Sequence, residues 1–254
     1  MRDNSFKISY SRINTYLFCP HKYKLIYLEN KYIPLNGDIS FGNSVHKTLD
    51  VFYKKGVYSF EALKDSLNVC WESSGYENNQ EAYVNYLRAL KILEEFWNTY
   101  GKYPPKRIST EHNFKSEIGG YPFIGIIDRI DEYEDGTREL VDYKTHRIIW
   151  EQEKIDKDLQ LSLYCHACKV ALGFVPDRIA IYFLSHNKKI YTTRSEEQIN
   201  NALKLSVEVA EKINNSIFEP NKEGCAYCDF KQTCKYSHLK IKEDDFKVTI
   251  ADLM

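Results

Sequence analysis

Several features that would mark a membrane-bound, secreted or repetitive chain are missing from this sequence of 254 residues. Its 11 glycines and 7 prolines are too few for a collagen-like or linker-dominated protein. No apolar run approaches the roughly 20 residues that span a bilayer. The N-terminal segment MRDNSFKISYSR lacks the apolar stretch of a signal peptide. We therefore expect an intracellular, cytoplasmic protein without a membrane partner.

An excess of charge of either sign is also absent. The 35 Lys and Arg residues against 36 Asp and Glu residues give a formal net charge of -1. This balance disfavours a strongly basic nucleic-acid-binding protein, although net charge does not describe local patches. Apolar residues make up 43% and charged residues 28% of the chain, as in ordinary globular proteins. The length suits one large domain or two small ones.

Cysteine, by contrast, is abundant, with 7 residues. Disulfides rarely persist inside cells, so we interpret the cysteines as metal ligands, reactive thiols or core residues. Cys225, Cys228 and Cys234 form a compact group in a segment with little periodicity, and Cys19 lies near the other end of the chain. Four thiolates suit Zn²⁺ or an iron–sulfur cluster, and the spacing does not choose between them. A shared metal group would clasp the two ends together and contribute to folding.

The other three cysteines are predicted to lie in the core. Cys165 and Cys168 fall inside a predicted helix, without a helix N-terminus that would activate their thiols. Cys70 stands beside Trp71 in an apolar context.

Hydrophobic periodicity predicts an α/β protein that begins with helices. The early helices are predicted over residues 41–55, 60–71 and 81–100. Three strands follow, over residues 107–115, 121–133 and 139–144, with a hairpin turn between the last two. The rest is predicted as a helix over 155–172, strands near 178–185 and 189–193, and a helix over 196–217. The helical stretch 54–103 carries no motif, and we interpret it as an insertion before the sheet.

The densest chemistry lies between residues 125 and 144. Asp128 falls inside an apolar strand, where a carboxylate is costly unless it is paired or binds a metal. Asp142 and Lys144 are two residues apart on the next strand, so they share one face. If the hairpin pairs these strands, the two carboxylates converge and suit Mg²⁺ or Mn²⁺. The lysine would position or deprotonate a metal-bound water. Taken alone, an Asp-x-Lys pattern is more often a plain salt bridge, and Asp128 on the preceding strand strengthens the catalytic interpretation without settling it.

Four further residues carry little signal singly. His46 lies on a predicted helix, and Glu111 lies in a predicted strand. Gln160 and Tyr164 are four residues apart and therefore share a helix face. Each is more typical of a surface or core position than of a site when taken alone.

Taken together, the motifs resemble the RecB-type branch of the PD-(D/E)XK nucleases. The resemblance is closest to its iron–sulfur members, which include CRISPR-associated RecB-like exonucleases and the nuclease domain of AddB helicase-nucleases. The matching motifs follow the family order: Ser9-Tyr10-Ser11 with Cys19-Pro20, Gly42 with His46, Gly125 with Asp128, Asp142-Tyr143-Lys144, Gln160 with Tyr164, and the triplet Cys225, Cys228 and Cys234. Each motif is weak singly, but the ordered set is specific.

The resemblance implies a restriction-endonuclease-like mixed sheet flanked by helices, in one nuclease domain over residues 1–254 with a cysteine loop at 224–236. The implied ligands of Mg²⁺ or Mn²⁺ are His46, Asp128, Asp142 and the backbone carbonyl of Tyr143. Lys144 would be the catalytic lysine, which Gln160 and Tyr164 would orient unless they contact DNA. Glu111 is matched to a strand acid that some members carry. The implied ligands of a [4Fe-4S] cluster are Cys19, Cys225, Cys228 and Cys234.

We therefore predict a metal-dependent DNA nuclease, an exonuclease on single-stranded DNA or DNA ends. Its predicted context is CRISPR adaptation or DNA repair and recombination, with an integrase or a helicase as partner. One alternative is a non-catalytic DNA-binding adaptor on the same fold, which would be expected to have lost some of the motif residues. Another is a zinc-stabilised interaction protein with a structural acid pair.

Overall fold

A computed structural model describes residues 6–239 of the chain. These residues belong to two units. The first unit contains the N-terminal residues through Ile8 and the segment Pro34–Leu205. The second contains Ser9–Ile33 and the residues from Ser206 onward.

The ends of the predicted nuclease domain, residues 1–5 and 240–254, lie outside the described residues. The extent of that domain over residues 1–254 stays a prediction. No helix in the described part of the chain has both the length and the apolar character that crossing a membrane requires.

The first unit is built on a mixed sheet of five strands. The strands are β1 (Arg107–Ile118), β2 (Tyr121–Glu132), β3 (Arg138–Lys144), β4 (Arg178–Phe183) and β5 (Lys188–Thr192). They lie side by side in chain order, and every pairing is antiparallel except the parallel pair β3–β4. A parallel pair needs a long crossover, and helices between β3 and β4 supply it. The predicted mixed sheet flanked by helices is confirmed.

Eight α-helices occur within residues 6–239. They are α1 (Tyr10–Phe18), α2 (Pro20–Tyr27), α3 (Gly37–Lys55), α4 (Phe60–Cys70), α5 (Asn79–Phe96), α6 (Gln152–Asp156), α7 (Leu159–Ala167) and α8 (Glu196–Asn214). Helix α3 begins before the predicted boundary because the side chain of Asn36 accepts a hydrogen bond from the backbone N–H of Ile39.

The predicted helix over 155–172 is wrong as a single element. The chain forms α6 and α7 there, followed by a π-helical turn over Cys168–Leu172. Asp158 separates the two helices because its carboxylate accepts a hydrogen bond from Leu161 N–H and so caps α7. Gly173, with a φ of 77°, ends the turn in the left-handed region that glycine adopts without strain.

The core of the first unit lies between the sheet and the helices α3, α4 and α5. Leu49 of α3, Leu67 of α4 and Phe96 of α5 belong to one buried cluster with Val141 and Tyr182 of the sheet. The helices within the predicted insertion 54–103 therefore contribute to the core that supports β3 and β4. Burial of each such side chain contributes about 1.5–3 kcal/mol.

In the second unit, the two N-terminal helices pack against the segment that follows α8. Tyr23 stacks on Phe218 with the ring planes 5° apart, and both rings contact Tyr16. The hydroxyl of Tyr16 donates a hydrogen bond of 2.6 Å to the carbonyl of Ile217. Helices α1 and α2 and the segment after α8 thus pack together within one unit, and a metal group that clasps them stays a prediction.

Candidate active site

The register of the sheet brings the two predicted carboxylates to the same level. Asp128 lies on β2, and Asp142 lies two residues before Lys144 on β3. The β2–β3 ladder ends at the pair Arg129–Val141. Asp128 and Asp142 occupy the next position of that register, just beyond the paired part of the strands. Strand pairing therefore places the two acids at one level, but among the described residues the close group of ligand atoms includes Asp128 and not Asp142.

Helix α3 contributes His46 to this group. The Nδ1 atom of His46 lies 3.4 Å from Oδ1 of Asp128. The other carboxylate oxygen of Asp128 accepts a hydrogen bond of 2.8 Å from the backbone N–H of Tyr143. The ring of Tyr143 packs edge-on against His46, with centroids 5.6 Å apart. Asp128 is therefore held by an imidazole from one side and by the backbone of β3 from another.

The structure places Glu111 of β1, which the resemblance matched only to a strand acid of some family members, beside two of the predicted ligands. One ligand atom from each of His46, Glu111 and Asp128 lies within 4.8 Å of the others. Glu111 stands opposite Asp128 at a position where the β1–β2 ladder is interrupted. Its φ of 44° lies in the left-handed region, which costs a non-glycine residue about 1–3 kcal/mol and is typical of functional sites.

An imidazole nitrogen and two carboxylate oxygens form a donor set that fits Mg²⁺ or Mn²⁺. The charges of the site favour a cation as well. Burial raises the pKa of Glu111, and the nearby carboxylate of Asp128 raises it further. Burial alone would lower the pKa of His46, but the charge of Asp128 raises it above its ordinary value. Crowded acids with perturbed pKa values are characteristic of metal and catalytic sites.

Lys144 is anchored on two sides next to this group. Its Nζ atom lies 2.6 Å from Oδ2 of Asp142 and donates a hydrogen bond of 3.2 Å to Oε1 of Gln160. Burial alone would lower the pKa of Lys144, but Asp142 raises it to about 12. Burial raises the pKa of Asp142 to about 6, an effect that Lys144 partly offsets. A lysine held in its charged form acts by positioning groups and by stabilising negative charge.

Helix α7 carries both Gln160 and Tyr164, as predicted. The start of the helix is fixed by Asp158, and Gln160 reaches Lys144. Tyr164 is buried, and its ring packs edge-on against Phe114 with centroids 5.7 Å apart. The structure therefore brings Gln160 to its predicted partner and places Tyr164 in the core. The role of Tyr164 toward Lys144 or DNA stays a prediction.

We expect Glu111→Gln to weaken Mn²⁺ binding by about 10-fold or more, because the metal would lose an anionic donor. Isothermal titration calorimetry of the purified protein with Mn²⁺ would measure the change. Glu117→Gln is the matched control, because Glu117 lies on the same strand and is exposed. Equal Mn²⁺ affinities in the two variants would contradict a ligand role for Glu111.

The four predicted cluster cysteines line one small cavity in the second unit. The sulfur of Cys19 accepts a hydrogen bond of 3.3 Å from the backbone N–H of Asn221, whose side chain donates to the carbonyl of Phe18. A Cβ on Gly224 would lie 2.9 Å from the Phe18 ring, so only glycine fits there without a shift. Within residues 6–239, however, the close group of three ligand atoms is His46, Glu111 and Asp128, and the cysteine sulfurs form no such group.

The remaining cysteines lie in the core, as predicted. Cys165 and Cys168 are fully buried, and Cys70 is 6% exposed. Burial raises the pKa of Cys165 and of Cys168 to about 12, which keeps both thiols neutral and unreactive.

A family model described as "PD-(D/E)XK nuclease superfamily" matches residues 7–235. The chain therefore belongs to the PD-(D/E)XK nuclease superfamily. No curated protein gives a significant match. Membership makes the chain a nuclease of a metal-dependent class, with DNA as the substrate that the family implies.

A solved structure shows the same fold. The chain is similar to the "Putative exonuclease" of Eubacterium rectale, with a TM-score of 0.55 and 14% identity over 98% of this chain and 92% of that one. The protein SSO0001 matches with a TM-score of 0.38 and 15% identity, over 88% of this chain and 96% of that one. VC1899 from Vibrio cholerae matches with a TM-score of 0.25 and 10% identity, over 83% of this chain and 57% of that one.

Proposed function

We propose that the protein is a metal-dependent exonuclease that cleaves single-stranded DNA or DNA ends. The observation that carries this proposal is the juxtaposition of two groups. His46, Glu111 and Asp128 converge within 4.8 Å, and the anchored pair Asp142–Lys144 follows on the adjacent strand. A metal-binding group beside a charged lysine can activate a water and stabilise the negative charge that develops during phosphodiester hydrolysis.

His46, Asp128 and Asp142 would hold the divalent metal, with Glu111 and the Tyr143 carbonyl as further donors. Such a metal polarises the phosphate and lowers the pKa of its bound water. The Tyr143 amide fixes the Asp128 carboxylate toward His46. Asp142 pairs with Lys144 through Oδ2, which is compatible with a cation on its other oxygen.

Lys144 would stabilise the negative charge that builds up on the phosphate during hydrolysis. Its ammonium group is protonated and is kept in place by Asp142 and Gln160. Gln160 is a positioning residue in this scheme because it touches the lysine and not the substrate. Tyr164 would support α7 from within the core, next to Phe114.

We further propose that Cys19, Cys225, Cys228 and Cys234 hold a [4Fe-4S] cluster. Their arrangement around one cavity supports a shared metal group. In a zinc tetrahedron with Zn–S bonds of about 2.3 Å, the sulfurs would lie about 3.8 Å apart. The cysteine sulfurs form no close group of ligand atoms among the described residues, so the choice of iron over zinc rests on the family resemblance of the cysteine motifs.

The iron–sulfur RecB-like branch, and with it a role in CRISPR adaptation or in DNA repair and recombination, rests on the order of the motifs along the sequence. An integrase or a helicase would be the partner in those contexts. The same order argues against a non-catalytic adaptor, because His46, Asp128, Asp142 and Lys144 are all present.

The test is digestion of single- and double-stranded DNA labelled at either end, with Mg²⁺ or Mn²⁺ and with EDTA. We expect metal-dependent release of nucleotides from linear strands and little cleavage of circular single strands. Asp142→Ala serves as the inactive control. Binding without cleavage in every metal would instead support the adaptor, and cleavage of circles at the linear rate would indicate an endonuclease.

A further inference from the structure

The segment that follows the catalytic strand presents an unusual set of side chains. Residues 145–151 begin directly after Lys144 and lead into α6. Three consecutive residues, His146, Arg147 and Ile148, are exposed, and Ile148 is 73% exposed. An aromatic ring, a cation and an aliphatic side chain therefore face solvent within a few residues of the lysine.

Two aromatic rings of this segment are stacked. The rings of His146 and Trp150 lie 5.3 Å apart with an interplanar angle of 27°. Both contact the buried ring of Phe183, at 5.6 Å and 6.1 Å. Phe183 is the last residue of β4, so the two stacked rings pack against the end of a strand of the sheet. His146 nevertheless remains exposed, and its ring orientation is set by Trp150 and Phe183.

Cations surround the stack. The Nζ atom of Lys154 lies 3.8 Å from the centroid of the Trp150 ring, and that of Lys144 lies 5.7 Å from it. From α5, Arg88 reaches the carbonyl of Thr145 at 3.4 Å. In the described part of the chain, none of the cations Arg88, Arg147 and Lys154 has a carboxylate oxygen within 4.0 Å.

Arg88 is the most informative of these cations because it is partly buried. It lies over the ring of Phe41 at 4.3 Å and donates a hydrogen bond of 3.1 Å to Ser185 Oγ. Burial lowers the pKa of Arg88 and the charge of Arg147 lowers it further, effects that the charge of Asp38 partly offsets. Two arginines that repel each other, with no carboxylate oxygen within 4.0 Å, would be stabilised by an anion.

The base of the segment is fixed in place. Ser185 Oγ donates a hydrogen bond of 2.6 Å to the carbonyl of Thr145, which Arg88 also approaches. A Cβ on Gly42 would lie only 3.2 Å from the hydroxyl of Thr145, so helix α3, which carries Gly42, packs closely against Thr145. The side chains of the segment therefore project from a supported backbone.

We propose that this surface binds the DNA strand next to the scissile phosphate, and that the exposed ring of His146 stacks on an unpaired base. The loop surface is defined by Arg88, His146, Arg147, Trp150 and Lys154. Its cations would contact the backbone phosphates. The inference rests on the proposed nuclease function and specifies its substrate: a base reaches a protein ring only when it is unpaired, in a single strand or a frayed end.

The experiment measures binding separately from cleavage. Fluorescence anisotropy of a labelled oligo(dT) strand would be recorded in Ca²⁺ with the Lys144→Met variant as the parent. The same measurement would use a strand of equal length made of abasic residues. We expect His146→Ala in this parent to weaken binding of oligo(dT) by about 5-fold or more and to leave binding of the abasic strand unchanged.

This comparison distinguishes stacking from a structural role, because a distorted loop would lose affinity for both strands alike. Arg147→Gln should weaken binding of both strands. It should also reduce the slope of log affinity against log salt concentration by about the amount that one phosphate contact contributes. Tyr103→Ala is the control, since Tyr103 is 78% exposed and is no part of the loop surface.

Equal affinity of the parent and His146→Ala for oligo(dT) would overturn the inference, and so would an equal loss for both strands. Either result would leave the proposed function intact if wild-type protein cleaves DNA in the digestion assay. Absence of cleavage by wild-type protein in every metal would instead contradict the proposed function, whatever the binding data show.

Discussion

Replacing Lys144 with methionine is expected to slow DNA cleavage by about 10²–10⁴-fold while the protein stays folded. The ammonium group is the cation that Asp142 and Gln160 hold beside the metal-binding group. Methionine keeps much of the buried volume of the side chain but carries no charge. Initial rates of nucleotide release in Mn²⁺, together with thermal unfolding, would measure the two effects.

A second buried lysine provides a matched control. The Nζ atom of Lys189 on β5 lies 2.6 Å from Oε1 of Glu139, and both side chains are almost fully buried. This pair has the same Nζ–O distance as Lys144–Asp142 and lies in the same sheet. Lys189→Met should lower the unfolding temperature, although Arg178 still pairs with Glu139 at 2.9 Å. The cleavage rate should stay near that of wild type.

The comparison separates a catalytic lysine from a plain salt bridge, the two explanations that the Asp-x-Lys pattern leaves open. If the pair with Asp142 is only structural, both methionine variants should lose activity in proportion to their loss of stability. If Lys144 is catalytic, only its variant should lose activity at temperatures where both proteins are folded. Near wild-type cleavage by Lys144→Met would refute the assignment.

The sequence predicts the core of the site because strand pairing follows from local patterns. Asp128 and Asp142 flank a hairpin turn, so the pairing of β2 with β3 places them at one level. Gln160 contacts Lys144, even though the predicted helix is divided in two by the Asp158 cap. A residue that caps a helix interrupts an apolar periodicity without removing it, so periodicity alone does not reveal the break.

Glu111 shows where prediction from local residue patterns ends, since only the family resemblance pointed to it. The residue has the appearance of a solvated charge in a strand, and its position opposite Asp128 depends on the β1–β2 register. Its positive φ is a property of the folded backbone that no residue pattern announces. The stack of His146 and Trp150 is not predicted for a related reason. It depends on Phe183 of β4, which lies far along the sequence but next to β3 in the sheet.

Replacing Cys19 with serine is expected to remove most of the iron of the proposed cluster and to lower the unfolding temperature. The free energy of metal binding is also folding free energy when the site does not exist in the unfolded chain. A loss of about 2 kcal/mol would lower the midpoint by about 4–8 °C in a chain of this size. Iron and sulfide analysis, the visible absorbance of anaerobically purified protein and calorimetry would measure these changes.

Cys70→Ser is the control for the burial of a hydroxyl group. Cys70 is 6% exposed, and burial raises the pKa of its thiol, as expected for a core residue. Both serine variants place a polar atom in a buried position, so both should lose some stability. Only Cys19→Ser should lose iron, because only Cys19 lines the cavity with the C-terminal cysteines.

The variant also tests how the second unit is held together. The hydrogen bonds from Asn221 to Cys19 and Phe18, and the packing of Tyr16 and Tyr23 on Phe218, join the two ends without any metal. If these contacts suffice, Cys19→Ser will lose iron with little change in unfolding temperature, and the cluster is not the main clasp. Full iron content with an unchanged unfolding temperature would show that Cys19 is not a ligand, and zinc in place of iron in wild-type protein would support the tetrahedral alternative.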